Sequence, residues 1–206
     1  MIFPVTKILR AAAAALFIFA AGGCAHAPAE RFMVAAAHPL AVDAGYSVLK
    51  RGGSALDAAI AVQLVLGLVE PESSGIGGGA FLLHWSEREQ ALRSYDGRET
   101  APGAARGDRF QQPDRRPMDF AEAVVGGRSV GVPGVMRMLE LAHRRHGKLP
   151  WDELFQPAIV AAEEGFAMSP RLHAQLERER YLRDDAAARR VFYRQDGRAR
   201  PVGALI

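Results

Sequence analysis

Ser54–Leu83 reads SALDAAIAVQLVLGLVEPESSGIGGGAFLL, and its three parts call for three different backbones. Ser54 stands where a helix N-cap belongs and Asp57 follows at capping-box spacing in place of the usual Glu or Gln, so a helix starts at Ala55. Between Ala55 and Val69 only Asp57 and Gln63 are strongly polar. A helix apolar nearly all round is buried on nearly all sides, and Pro71 stops it. The run Gly75-Ile76-Gly77-Gly78-Gly79 permits positive φ and close backbone approach, apposing the preceding loop to the strand that begins at Ala80. Buried helix, glycine turn and strand in succession place the chain in the mixed α/β or α+β classes, with the strand order left open.

Upstream of this stretch, Arg31–Ala37 (RFMVAAA) reads as a strand of small and apolar residues. His38-Pro39 then opens a helix, with Pro39 at the first position, where a missing N–H costs nothing. Leu40, Ala41, Ala44 and Val48 form its stripe, and Gly52-Gly53 ends it. On the other side, Ala80–Trp85 and Ala91–Asp96 predict a hairpin through Glu87-Arg88-Glu89-Gln90. The Pro- and Gly-bearing stretch Pro102–Pro117 reads as a loop across the surface, followed by the Gly/Val stretch Val124–Gly131. A helix near Pro133–His146 turns Val135, Met138, Leu139 and Ala142 inward and is capped by Gly147. A third helical region begins at Leu149-Pro150-Trp151, is interrupted at Pro157 and stops at Gly165, and Pro170–Arg190 is helical and heavily charged. Val202–Ile206 reads as the beginning of an apolar element, which leads us to expect a truncated chain.

The 206 residues are 49% hydrophobic and 24% charged, a globular composition, and the one cysteine, Cys24, rules out a disulfide within the chain. The formal charge of +3 loses its meaning once Lys7 and Arg10 are assigned to a leader. What remains is 24 basic against 23 acidic residues, which is no nucleic-acid signature, so no nucleic-acid partner is expected. Lys7 and Arg10 precede the eleven apolar residues Ala11–Ala21, too short a run to span a bilayer, so residues 1–23 read as a signal peptide and 24–31 as a linker to a domain over 32–206. Ala21-Gly22-Gly23-Cys24 resembles a lipobox with Ala21 in place of Leu, which makes Cys24 a lipidation site. The rival cleavage site Ala25-His26-Ala27 is followed by an unfavourable Pro28. The expected location is exported, periplasmic or cell-envelope, with a membrane lipid anchor at Cys24.

The candidate chemistry is sparse. No Gly-Lys-Ser/Thr follows the glycine run, and Ser73 and Ser74 lack the G-x-S-x-G pattern of a nucleophile elbow. His143 and His146 share a helix face at metal-ligand spacing, but Arg144-Arg145 between them repel a cation, so they read as a solvated basic helix end. The nine arginines of Arg171–Arg200 face five acidic residues, the pattern of a solvated helix. Arg98 stands apart, because it follows a predicted strand and directly precedes a loop in Tyr95-Asp96-Gly97-Arg98-Glu99-Thr100-Ala101-Pro102. A guanidinium there can fork onto both oxygens of a carboxylate. On spacing alone, a structural pair with a neighbouring carboxylate is favoured over a ligand contact.

Several segments together resemble the γ-glutamyltranspeptidase (glutathione hydrolase) family: Met33–Gly53, Ser54–Glu70, Gly75–Phe81 (GIGGGAF), Asp96–Pro102 (DGRETAP), Val130–Gly134 (VGVPG) and Gly147–Glu164, then Gly165-Phe166 and Ser169–Leu172. The resemblance implies an α+β fold, part of the αββα sandwich of an N-terminal-nucleophile hydrolase, made as a precursor that cuts itself into large and small subunits. It implies cleavage of γ-glutamyl amides through a threonine acyl-enzyme, with glutathione and other γ-glutamyl compounds as substrates, water or amino-acid and peptide acceptors, the small subunit as partner and no cofactor. Arg98 matches the arginine that holds the substrate α-carboxylate, so the resemblance turns it into a substrate-binding residue.

The family's nucleophile lies in a Thr-x-His context beyond the matched region, whereas this sequence offers only Thr6, in the leader, and Thr100, inside the arginine motif. No catalytic residue is therefore expected in this chain, which reads as the N-terminal portion of the large subunit and inactive alone. The alternatives are a sister acylase, of the cephalosporin acylase or poly-γ-glutamate hydrolase kind, and a non-catalytic envelope lipoprotein.

Overall fold

The computed structural model describes residues 32–206. The leader, the linker, Cys24 and Thr6 lie outside the described residues. Met33–Ile206 form one unit built from seven α-helices, three short 3₁₀ turns and a two-stranded antiparallel sheet.

The helix pair at the centre follows from its caps. Helix α1 (Pro39–Lys50) begins at His38, whose Nδ1 accepts the Leu40 N–H at 3.2 Å, and buries Ala41, Ala44, Gly45 and Val48. Gly52 then takes φ +88°, a conformation that glycine adopts without strain, and the chain reverses into α2 (Ala55–Val69). Ser54 accepts the Asp57 N–H at 3.1 Å while Asp57 accepts the Ser54 N–H at 2.8 Å, so the capping box closes with Asp in the acidic role. The two helices approach closely at Gly45, where a Cβ would come within 2.6 Å of the Val62 side chain. Leu56, Ala58, Ile60, Ala61, Leu64, Val65 and Val69 of α2 are all buried, each large one contributing roughly 1.5–3 kcal/mol through burial. This is the main core, joined by Tyr95, Leu154 and the set Val135, Met138, Leu139 and Ala142.

The hairpin pairs β1 (Ala80–Ser86) with β2 (Ala91–Gly97), in register from Ala80 opposite Gly97 to Ser86 opposite Ala91. Its inner face carries Leu82 and buried Tyr95, while Phe81, Leu83, Trp85 and Leu92 lie exposed on the other face. After the loop come α3 (Phe120–Val124) and α4 (Val135–His146). Val135, Met138, Leu139 and Ala142 are buried as their spacing requires, and Gly147 is the C-cap. The third helical region is divided beside Pro157 as expected: a 3₁₀ turn over Asp152–Phe155 gives way to α5 (Gln156–Glu164), which holds Pro157 in its first turn and ends at Gly165, φ +82°.

A second, smaller core of Met168, Leu172, Leu176, Tyr193 and Ala199 joins α6 (Pro170–Arg178) to α7 (Ala186–Phe192) and the terminal segment. None of the described helices is long and apolar enough to cross a membrane.

Four expectations need correction. Phe32–Ala37 is not a strand: its residues alternate between half-buried and exposed, but no neighbouring strand among the described residues supplies a ladder. Pro170–Arg190 is not one helix. The Glu179 carboxylate accepts the Tyr181 N–H at 2.7 Å and the Asp185 carboxylate accepts that of Ala188 at 2.7 Å, ending one helix and starting another. The glycine run has no positive φ, and its tight contact is with the end of β2. A Cβ on Gly79 would lie 2.6 Å from Glu99 Oε2, 2.7 Å from the Gly97 carbonyl oxygen and 2.9 Å from Arg98 Cα. Finally, His143 and His146 are half-buried rather than solvated.

Candidate functional site

Arg98 follows directly on Gly97, the last residue of β2, and its own N–H donates to Asp96 Oδ1 at 2.9 Å, turning the chain away from the sheet. Beyond it, Thr100 and Val132 exchange backbone hydrogen bonds, the Val132 N–H donating at 2.9 Å. Gly134 completes the support. Its N–H donates to the Gly78 carbonyl at 3.1 Å, and a side chain there would run into the Gly97 and Arg98 carbonyl oxygens. The glycine turn, the end of β2 and the start of α4 therefore meet beneath the arginine, and three of the family-like segments fall on that junction.

The Arg98 side chain is 71% exposed, and its Nε lies 3.5 Å from Glu99 Oε2. An exposed pair at that distance contributes little, of order 0–1 kcal/mol, so the guanidinium has most of its donors available. It lines an open cleft of about 460 Å³, shared with Glu99, Thr100, Arg106, Arg109 and Arg128. Four arginines against one glutamate make this a positively charged recess suited to a carboxylate.

The other candidates are dispersed. Ser73 Oγ accepts a long hydrogen bond from Arg171 Nη2 at 3.4 Å, while Arg171 also pairs with Glu72 and, at 2.7 Å, with buried Glu70. Burial, followed by the neighbouring Glu72 carboxylate, holds the Glu70 carboxyl above its ordinary pKa against the pull of Arg171. The histidine pair does not converge: His143 Nε2 donates to the Leu149 carbonyl at 2.9 Å, whereas His146 shares a 2.7 Å hydrogen bond with the Tyr95 hydroxyl and stacks on His84. Among the described residues no cluster of His, Cys, Asp and Glu could hold a metal.

Sequence reading passed over two features. Asp57 is fully buried and, besides the Ser54 N–H, accepts those of Lys148 at 2.9 Å and Leu149 at 3.2 Å, pinning the segment after α4 to the start of α2. Its place in the capping box was legible, but the pairing across some ninety residues had no local signal. The cleft residues Arg106 and Arg109 fall in the expected surface loop and Arg128 in the Gly/Val stretch after it, and nothing in their spacing brings them beside Arg98.

Comparison with known proteins fits this arrangement. A glutathione hydrolase proenzyme from Bacillus subtilis is 39% identical over 160 residues, 78% of this chain and 27% of that protein. The crystal structure of Helicobacter pylori gamma-glutamyltranspeptidase superposes with a TM-score of 0.78 at 30% identity, covering 85% of this chain and 50% of that one. A cephalosporin acylase from Bacillus halodurans gives 0.65 at 30% identity, covering 82% of this chain and 32% of that one. The chain spans about a quarter of the length of the curated relatives it matches. Its α+β arrangement is accordingly an incomplete piece of the N-terminal-nucleophile hydrolase sandwich. The family profile described as gamma-glutamyltranspeptidase matches residues 41–206, and the chain belongs to that family.

Proposed function

We propose that the protein carrying this chain cleaves γ-glutamyl amides such as glutathione, and that Arg98 holds the substrate's α-carboxylate. The observation that carries this reading is the exposed guanidinium at the end of β2, loosely paired with Glu99 and facing a positively charged cleft. A carboxylate pinned there fixes one end of the glutamyl unit and so positions its γ-carbonyl for attack. The attacking hydroxyl is that of a threonine at the N-terminus of the small subunit. Its oxygen bonds to the γ-carbonyl carbon, the amine leaves with a proton, and water or an acceptor amine then releases the glutamyl group. Neither Thr6 nor Thr100 has the required context, so the 206-residue chain contributes binding and scaffold but no nucleophile.

Two measurements test this. The purified 206-residue chain is expected to release no product from γ-glutamyl-4-nitroanilide, and turnover would overturn the placement of the nucleophile. In the full-length protein, Arg98→Ala is expected to raise KM for the same substrate at least tenfold, and an unchanged KM would remove Arg98 from the site.

The likeness to the acylase favours one alternative on the same scaffold, transfer from glutaryl amides. Comparing turnover of glutaryl and γ-glutamyl amides separates the two. Export with a lipid anchor at Cys24 is a further part of the proposal. Cys24→Ser is expected to move the protein out of the membrane fraction, and an unchanged distribution would discard the anchor.

A further inference from the structure

The cleft holds more positive charge than one α-carboxylate needs. Of the four arginines that line it, Arg106 is engaged by Asp108 at 3.2 Å and Arg98 faces Glu99 at 3.5 Å. Arg109 and Arg128 instead grip each other's backbone: Arg109 Nε donates to the Arg128 carbonyl at 2.6 Å and Arg128 Nη1 donates to the Arg109 carbonyl at 2.7 Å. Among the described residues neither has a carboxylate partner.

This clasp has two effects. It ties the loop around Arg106–Phe110 to the turn over Gly127–Ser129, so two walls of the cleft are joined. It also spends one donor of each guanidinium on a neutral carbonyl, which anchors the fork and leaves most of its five N–H groups without neutralising its charge. Two like charges fixed together without a counter-ion raise the local potential, and an incoming anion relieves it. Since the side chains are already immobilised, the entropy cost of ordering them on binding is reduced.

We propose that Arg109 and Arg128 form a second carboxylate subsite beside Arg98, which selects γ-glutamyl substrates whose amine portion itself bears a carboxylate. The inference rests on the γ-glutamyl reading of Arg98 and adds the class of leaving group. An amino acid or peptide joined through its nitrogen to the γ-carbonyl presents such a group; a neutral amine does not.

The test uses the full-length protein and two substrates differing in one carboxylate, γ-glutamyl-4-nitroanilide and γ-glutamyl-3-carboxy-4-nitroanilide. The ratio of their kcat/KM values, each variant compared with the parent, is insensitive to the fraction of enzyme folded. Arg128→Gln and Arg109→Gln are each expected to lower the anionic-to-neutral ratio about tenfold, the scale of one charge-assisted hydrogen bond, with Arg128→Lys retaining part of it. A ratio unchanged in both Gln variants, or equal losses on both substrates, would overturn the subsite. Arg98→Gln is expected to depress both substrates alike. If it alters neither, the γ-glutamyl reading of Arg98 fails whatever the ratio does at Arg109 and Arg128.

Discussion

Gly134 donates its N–H to the Gly78 carbonyl at 3.1 Å, so the glycine turn before β1 and the entry to α4 are bonded to each other directly under Arg98. The bond requires the two backbones to approach closely, and at Gly134 the carbonyl oxygens of Gly97 and Arg98 occupy the space a Cβ would need. Backbone cannot step aside as the tip of a side chain can. Gly134→Ala is therefore expected to destabilise the fold by about 1–3 kcal/mol and, in the full-length protein, to raise KM for γ-glutamyl substrates by displacing the arginine. Thermal melting and steady-state kinetics check both. A neutral substitution would mean that the junction does not set the position of Arg98.

Asp57 offers a separate test of what holds the helices together. Its fully buried carboxylate accepts, through Oδ2, the N–H groups of Ser54, Lys148 and Leu149. Asp57→Ala strands these donors and is expected to cost about 3 kcal/mol, seen as a lower denaturant midpoint, whereas Asp57→Asn keeps an acceptor oxygen and costs less. Equal losses in the two variants would show that the charge, rather than the accepted hydrogen bonds, matters.

Two histidines make stability depend on pH. Burial holds His38 below its ordinary pKa. Burial, then the facing His84, depresses His146, with Arg93 and Arg145 adding to the effect and Glu89 opposing it. A lowered folded pKa means that the unfolded chain binds more protons, so each contributes stability that is complete above the ordinary imidazole pKa of roughly 6.5 and is lost as pH falls through the folded value. Glu70, held above its ordinary pKa, works the other way in the acidic part of this range. Melting temperature is thus expected to fall from pH 7 toward pH 5 through the histidines, and His146→Gln to flatten that slope. A variant slope equal to the parent's would exclude His146.

The hairpin leaves Phe81, Leu83, Trp85 and Leu92 exposed on one face, and each of its two strands has one unpaired edge among the described residues. Apolar strands with open edges invite pairing with other chains. The 206-residue chain alone is expected to self-associate on size-exclusion chromatography, and Leu83→Lys with Trp85→Lys to reduce this. A sharp cooperative melt of a monomer would contradict it.

The sequence was most legible where one residue's local chemistry decides the backbone. Ser54 with Asp57, Pro39, Gly52 and Gly165 placed helix ends, and the inward set of α4 was readable from spacing. It was less legible where a distant partner decides. Phe32–Ala37 alternates as a strand does, yet Val34 lies against the crossing of α1 and α2 near Gly45 without a strand to pair with. His146 finds Tyr95 fifty-one residues away, and its solvated reading failed for that reason. The sequence around Arg98 marks its place between strand and loop, whereas only the folded loop brings Arg109 and Arg128 to the same cleft.

If Arg98 recognises the α-carboxylate of a glutamyl unit, a substrate without that carboxylate gains nothing from the arginine. In the full-length protein, kcat/KM is measured for γ-glutamyl-4-nitroanilide and for 4-aminobutyryl-4-nitroanilide, with and without Arg98→Ala. The substitution is expected to cost the γ-glutamyl substrate tenfold or more and the decarboxylated one almost nothing, since the lost interaction exists only in the first. Equal losses on both substrates would show that Arg98 does not bind the α-carboxylate.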